Sequence, residues 1–251
     1  MDAEDEEDGD VDSILEELAV AMEEIPELYS LVVKYSPSEN KHEVMTGLLQ
    51  KVPAKLKLDD ESALLGLNTV LSVVENCQLP EITSLVAEIM GLFMQFSDHR
   101  NTQVRNSAIY GMGELIKMTP PISFSTEDLS KFLQCLWVAK SQPCTTATTK
   151  RLVSHLNENI VSTLGKILDA LGSTYPQILT QEVYGQWLSQ LPLNTDLNEG
   201  DNMQRLLIKI LDTTPDLLVT TPDSLLTICR IYAKYVAKRK KNSKKEQRAI
   251  P

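Results

Sequence analysis

Aromatic residues make up only 5% of the 251-residue chain, and its 10 Gly and 12 Pro are too few for a fold built from many tight turns. That scarcity points away from β-rich architectures. No apolar run approaches the ~18 residues a membrane span needs, and the opening Met1-Asp2-Ala3-Glu4-Asp5 is the opposite of a basic, apolar secretory leader. The expected location is cytoplasmic and nuclear, without membrane insertion. Four cysteines, Cys77, Cys135, Cys144 and Cys229, stand too far apart for a Cys-x-x-Cys knuckle or a dense disulfide framework. The three histidines, His42, His99 and His155, form no helix-borne metal pair. Neither a phosphate loop of the Gly-x-x-x-x-Gly-Lys-Ser/Thr kind nor a Gly-x-Ser-x-Gly elbow occurs. The chain is therefore read as a non-enzymatic protein with no metal and no cofactor.

What is present is charge, placed at the ends. Residues 1–12 hold eight carboxylates and no base, and residues 238–251 hold seven bases and one acid. The remainder keeps 17 bases against 26 acids, within a total charge of −11. Such polar ends lack the apolar groups that offset ordering entropy. The expected division is an acidic arm at 1–11 (Glu4, Asp5, Glu6, Glu7, Asp8 and Asp10), a globular part at 12–237 and a basic tail at 238–251. A negative body repels phosphate, so a basic protein partner suits it better than nucleic acid. The tail itself is open to several readings: a contact for nucleic acid or membrane phosphates, a nuclear address, or a solvated helix end.

Apolar residues recur at three- and four-residue steps in nearly every segment, the period of a helix with one buried face. Stripes run through Ile14, Leu18, Met22 and Ile25, with a capping box formed by Ser13 and Glu16, and through Val104, Ala108, Met112 and Leu115. Two more run through Leu152, Leu156, Ile160, Leu164, Ile167 and Leu171, and through Leu225, Cys229, Tyr232 and Val236. With breakers such as Ser36-Pro37, Thr119-Pro120-Pro121, Tyr175-Pro176 and Thr221-Pro222 between them, helices are expected near 12–25, 27–35, 39–52, 60–76, 80–96, 101–118, 125–140, 148–172, 176–190, 198–213 and 222–239. Ser72, Gly113, Gly165 and Ile208 hold corresponding positions in alternate helices, 41, 52 and 43 residues apart. Repeats of ~40–47 residues in helix pairs characterise HEAT and armadillo arrays. The expected fold is all-α, a right-handed α-solenoid of about five HEAT-type helix pairs, with a closed helical bundle as the competing architecture.

In such an array one helix of each pair lines an inner face, where carboxylates present a negative field to a basic, flexible signal. Glu81, Glu88, Asp128 and Glu182 are the candidates, on helices read as inner. Val104 and Arg105 open a repeat helix, with the guanidinium expected to reach polar groups of the adjacent repeat. Gly111 and Gly113 fall inside that helix and are read as sites of close packing. Trp187 and Leu188 are expected in the core, ahead of Pro192, which forbids the next intrahelical hydrogen bond. Trp137 is read either as core or as a partly exposed contact for a bound peptide.

Three blocks resemble the C-terminal repeats of karyopherin-beta nuclear transport receptors. They are Val104-Arg105-Asn106-Ser107-Ala108-Ile109-Tyr110-Gly111-Met112-Gly113, Asn157-Glu158-Asn159-Ile160-Val161-Ser162-Thr163-Leu164-Gly165-Lys166-Ile167, and the Trp-Leu-x-x-Leu-Pro-Leu run at 187–193. Their order and spacing resemble the importin-five branch, over roughly residues 1–215. The resemblance implies a receptor that wraps cargo carrying basic signals on a concave HEAT surface and contacts Phe-Gly nucleoporins. It also implies release by Ran-GTP, whose principal surface in such receptors lies in N-terminal repeats that this chain does not contain. A HEAT scaffold for assembling a complex unrelated to transport shares the periodic features and stands as the alternative.

Overall fold

The computed structural model describes residues 24–55, 59–76, 82–144 and 149–249, so the acidic arm and most of the helix expected at 12–25 lie outside the described residues. Every regular element among the described residues is helical, and the all-α class follows. The elements are α1 (24–35), α2 (Ser38–Lys55), α3 (Asp60–Asn76), α4 (Val86–Phe96, entered by the 3-10 turn Thr83–Leu85), α5 (Thr102–Met118), α6 (Thr126–Ser141), α7 (Lys150–Leu171), α8 (Gln181–Ser189), α9 (Leu197–Thr213) and α10 (Pro222–Ala249). They form two compact units, one of Met1–Thr119 with Gln142–Thr146, the other of Pro120–Ser141 with Ala147–Pro251.

Helix starts follow local chemistry. Asn101 caps α5 by accepting from the N–H groups of Gln103 and Val104, Thr149 caps α7 by accepting from Leu152, and Asp196 caps α9 by accepting from Asn198 and Glu199. The helix expected from residue 176 begins only at Gln181. Pro176 sits instead in a turn whose Ile178 and Leu179 N–H groups donate to the Tyr175 carbonyl, and the Tyr175 hydroxyl donates to the carbonyl of Phe124. The last helix outruns its expected end at 239 and continues to Ala249, so Lys238 to Lys241 belong to α10. Lys238 donates to the Asn194 carbonyl and Arg239 pairs with Asp201, which holds this stretch against the rest of its unit.

In the first unit α5 packs on α3 and α4. Its stripe is fully buried: Val104, Ala108, Met112 and Leu115 are each 0% exposed. Gly111 lets α4 approach, because a Cβ there would lie 2.4 Å from the Phe93 ring, itself wholly buried. Polar contacts between α3 and the α5 region recur at a near-constant separation. Ser107 donates to Asn68, 39 residues away, and Tyr110 to Glu75, 35 residues away. Asp60 accepts from the side-chain amide of Asn101, 41 residues on, and pairs with Arg100 at 3.3 Å.

In the second unit α7 is central, packed by α6, α8 and α9. The expected apolar stripe from Leu156 to Leu171 is buried. The stripe expected on α10 is not: Leu225 and Tyr232 are 51% exposed and Cys229 is exposed, while Ile228 and Ile231 are the buried residues. The helix carries two apolar stripes about 100° apart, and periodicity alone does not tell which one is covered.

Two outcomes follow for stability. Gly111→Ala forces a methyl group against a ring with no room to move, and urea denaturation is expected to show a loss of about 1–3 kcal/mol. The carboxyl of Asp60 is held below its ordinary pKa, chiefly by the Asn101 amide and then by Arg100. A depressed folded pKa contributes stability that is present above the unfolded value and lost as pH falls through the folded one. Asp60→Asn is therefore expected to be less stable than the parent at about pH 7, with the difference shrinking towards about pH 3, as followed by denaturant unfolding at both pH values.

Candidate functional site

The second unit contains a groove of about 400 Å³, built from three helices. Leu129, Phe132, Leu136 and Ala139 point α6 into the core, and this leaves the neighbouring Trp137 on the flank, 43% exposed. Tyr184, Trp187 and Leu188 do the same for α8, which turns Gln186, Ser189 and the following Gln190 outward. Trp137 and Lys140 of α6 form one wall, Gln186, Ser189 and Gln190 the other, and Ile160, Val161 and Leu164 of α7 the floor. The Lys140 ammonium stands 6.0 Å from the centre of the Trp137 ring, one helical turn along. The result is an apolar slot with an aromatic face, one cation and three polar side chains on its rim. Its size is at the lower end for ligand clefts.

Such a slot suits a large apolar or aromatic side chain from an extended peptide. The indole face gives stacking area, and the rim amides can exchange hydrogen bonds with a peptide backbone. The Gln186 amide lies 3.4 Å from Glu182 and the Gln190 amide 3.2 Å from the Ser189 hydroxyl, weak contacts that a ligand can replace.

Beside the slot, α7 carries a buried polar stripe: Glu158, Ser162 and Lys166 are 9%, 0% and 6% exposed. The Glu158 carboxylate accepts backbone N–H bonds from Asn194 (2.5 Å), Thr195 (2.7 Å) and Asp196 (3.0 Å) and so shapes the entry to α9. Ser162 donates to Glu199, and the Lys166 ammonium lies 3.4 Å from the same carboxylate. At the exposed end Lys209 pairs with Asp169 at 2.5 Å. The four-residue steps from Glu158 to Lys166, interleaved with leucine and isoleucine, were the available sequence signal for this stripe.

The remaining candidates are carried by separate elements of the two units. Glu81 lies outside the described residues, as does the acidic arm. Glu88 is exposed on α4 and Glu182 on α8. Asp128 is a helix cap: it accepts from the Ser125 N–H and hydroxyl while Ser125 accepts from the Asp128 N–H, and the Ser125 bonds hold its carboxyl below the ordinary range. Arg105 is 0% exposed, but its guanidinium turns back to the carbonyls of His99 (2.7 Å) and Arg100 (3.1 Å) and to Thr102, within its own inter-helix turn. Its remaining contact is with Cys144 Sγ at 3.8 Å. Val104 and Gly113 are buried on α5. Trp187 is 0% exposed and packs on the backbone of α7 at Gly165, where a Cβ would lie 3.0 Å from the indole nitrogen. Leu188 is 5% exposed, and Pro192, half-buried, follows a cis peptide bond. Among the described residues no group of His, Cys, Asp and Glu converges as metal ligands, and no helix is long and apolar enough to cross a membrane.

The two tryptophans give the slot its own readout. Acrylamide is expected to quench one fraction of the indole emission and not the other, and Trp137→Phe should remove the accessible fraction while leaving that of Trp187. Quenching of both, or of neither, contradicts the placement. Set against known protein families and curated proteins, the chain matches no family model and no curated protein.

Proposed function

We propose that this chain is a HEAT-type helical array of the karyopherin-beta kind, a non-enzymatic, protein-binding segment that takes part in nucleocytoplasmic transport. The observation that carries the reading is the spacing of the polar ties between helices two apart. In the first unit they join residues 35 to 41 positions apart. In the second, Ser154 meets Thr195 at a separation of 41, Glu158 meets Thr195 at 37 and Asp169 meets Lys209 at 40. Ties at one recurring separation are what a stacked series of helix pairs with a period of ~40 residues requires. A bundle closed around one centre has no reason to repeat them.

Within this reading the slot around Trp137 receives the phenylalanine of a Phe-Gly peptide. The ring stacks on the indole, and the following glycine lets the peptide backbone come close to Gln186 and Gln190. Basic cargo is drawn by exposed carboxylates such as Glu88 and Glu182 and by the overall charge of −11.

The test is fluorescence titration of the full chain with two probes, a Phe-Gly repeat peptide and a Lys-rich peptide. The first is expected to bind weakly, with little salt dependence, and to lose about tenfold or more in affinity in Trp137→Ala. The second is expected to bind in low salt and weaken steeply between about 0.05 and 0.5 M. Binding of neither probe overturns the transport reading and leaves a scaffold for complex assembly. Phe-Gly binding unchanged in Trp137→Ala removes the slot from it.

A further inference from the structure

The first and last described helices each expose apolar side chains that no other described element covers, and the two faces carry opposite charge. On α1, Ser30 and Val33 are 0% exposed, yet Leu28 is 60%, Val32 48% and Tyr35 77% exposed. Beside them a groove of about 450 Å³ has Ile25, Leu28 and Leu31 as its apolar lining and Glu24 and Glu27 as its acidic rim. On α10 the flank beside the buried Ile228 and Ile231 exposes Leu225 and Tyr232, and the outward face carries Leu226 with Arg230 and Lys234. These two bases form no ion pair among the described residues, whereas Arg239 and Lys238 are held by Asp201 and the Asn194 carbonyl.

Each helix is anchored by one face, so the other is a surface in its own right. Scattered exposed apolar residues need no explanation, but Leu28, Val32 and Tyr35 recur at helical spacing on α1, and Leu225 and Tyr232 stand two turns apart on α10 with Leu226 beside them. The charge asymmetry tells which surface fits which. Residues 1–27 contain 13 carboxylates and no Lys or Arg, and Pro222–Ala249 contains nine bases and two acids. We infer that the α10 face of one molecule docks on the α1 face of a second copy, apolar stripe against apolar stripe, with Arg230 and Lys234 against Glu24 and Glu27. The contact is heterologous: the joined pair keeps one free α1 face and one free α10 face, so association continues head to tail. Two short helix faces make a small interface, and the charges contribute mainly orientation and association rate.

The test is sedimentation velocity on the full 251-residue chain over a concentration series in low and high salt. Species larger than a dimer are expected at high concentration in low salt, with association weakened about tenfold or more in high salt. Leu28→Ser/Val32→Ser and Leu225→Ser/Tyr232→Ser alter exposed positions only, and circular dichroism checks that each remains folded. Each variant alone is expected to stay monomeric. Their equimolar mixture, which has one sound α1 face and one sound α10 face between two chains, is expected to stop at a heterodimer. A monomer at every concentration overturns the inference, because the faces are then covered within one chain or left bare. Association lost on changing α10 and untouched by changing α1 also overturns it, since that is a symmetric α10 contact, and so does association indifferent to salt.

Discussion

The ion pair between Lys166 and Glu199, buried together with Ser162 and Glu158, is the constraint on which the second unit depends. Burying charge is costly, and a pair stripped of one partner strands the other at a cost of about 3–5 kcal/mol. A slip of α9 along α7 by one residue or one turn would do this at once to Lys166, Glu199 and the Glu158 carboxylate that gathers three backbone N–H groups. Leucine and isoleucine tolerate such slips far better, because apolar contact is not directional. The apolar stripe of α7 brings helices together, and the polar stripe decides where they stop. With α9 set, Met203 and Trp187 close over Gly165, α8 is seated, and the rim of the slot faces α6.

The first unit solves the same problem at its surface. Asp60, Asn68 and Glu75 lie along α3 and reach partners in and just before α5. These bonds are more exposed and individually weaker, so register there rests more heavily on packing, with the Phe93 ring against Gly111 as the tightest point. The two units thus use one spacing with two balances of polar and apolar contact.

Helix existence and most boundaries were legible in the sequence because they depend on local chemistry. Asn101, Thr149 and Asp196 are cap residues, and Pro222 is tolerated at a helix start for want of an N–H. Less legible was anything that depends on which neighbour arrives. The stripe of Leu225, Cys229 and Tyr232 and that of Ile228 and Ile231 are equal on paper; only the packing of α10 separates them. Asp128 carried a readable signal, since Ser125-x-x-Asp128 is a capping pattern, and the reading as an inner-face carboxylate passed over it. Arg105 was read as reaching polar groups of the adjacent repeat; one end of its guanidinium goes to the carbonyls of His99 and Arg100 in the preceding turn, and the other to Thr102 and to Cys144, 39 residues on. Trp137 was left between two roles because its helix position does not reveal that α8 ends beside it and opens a slot.

Charge has to be considered at the scale on which it acts. Between residues 28 and 237 there are 21 acids and 17 bases, so most of the charge of −11 belongs to the first 27 residues and is partly offset by the bases of α10. In physiological salt an exposed charge is felt over ~8 Å, so the field at the slot is set by the charges that stand beside it. There the local field comes from Lys140 on one side and Glu182, behind Gln186, on the other, close to balance. An apolar side chain entering the slot would meet Trp137, Ile160 and Leu164 with little net charge beside them. The forces that select an apolar side chain and a charged group differ in range, so the shape of the slot and a charge elsewhere on the surface act independently wherever they stand farther apart than the screening length.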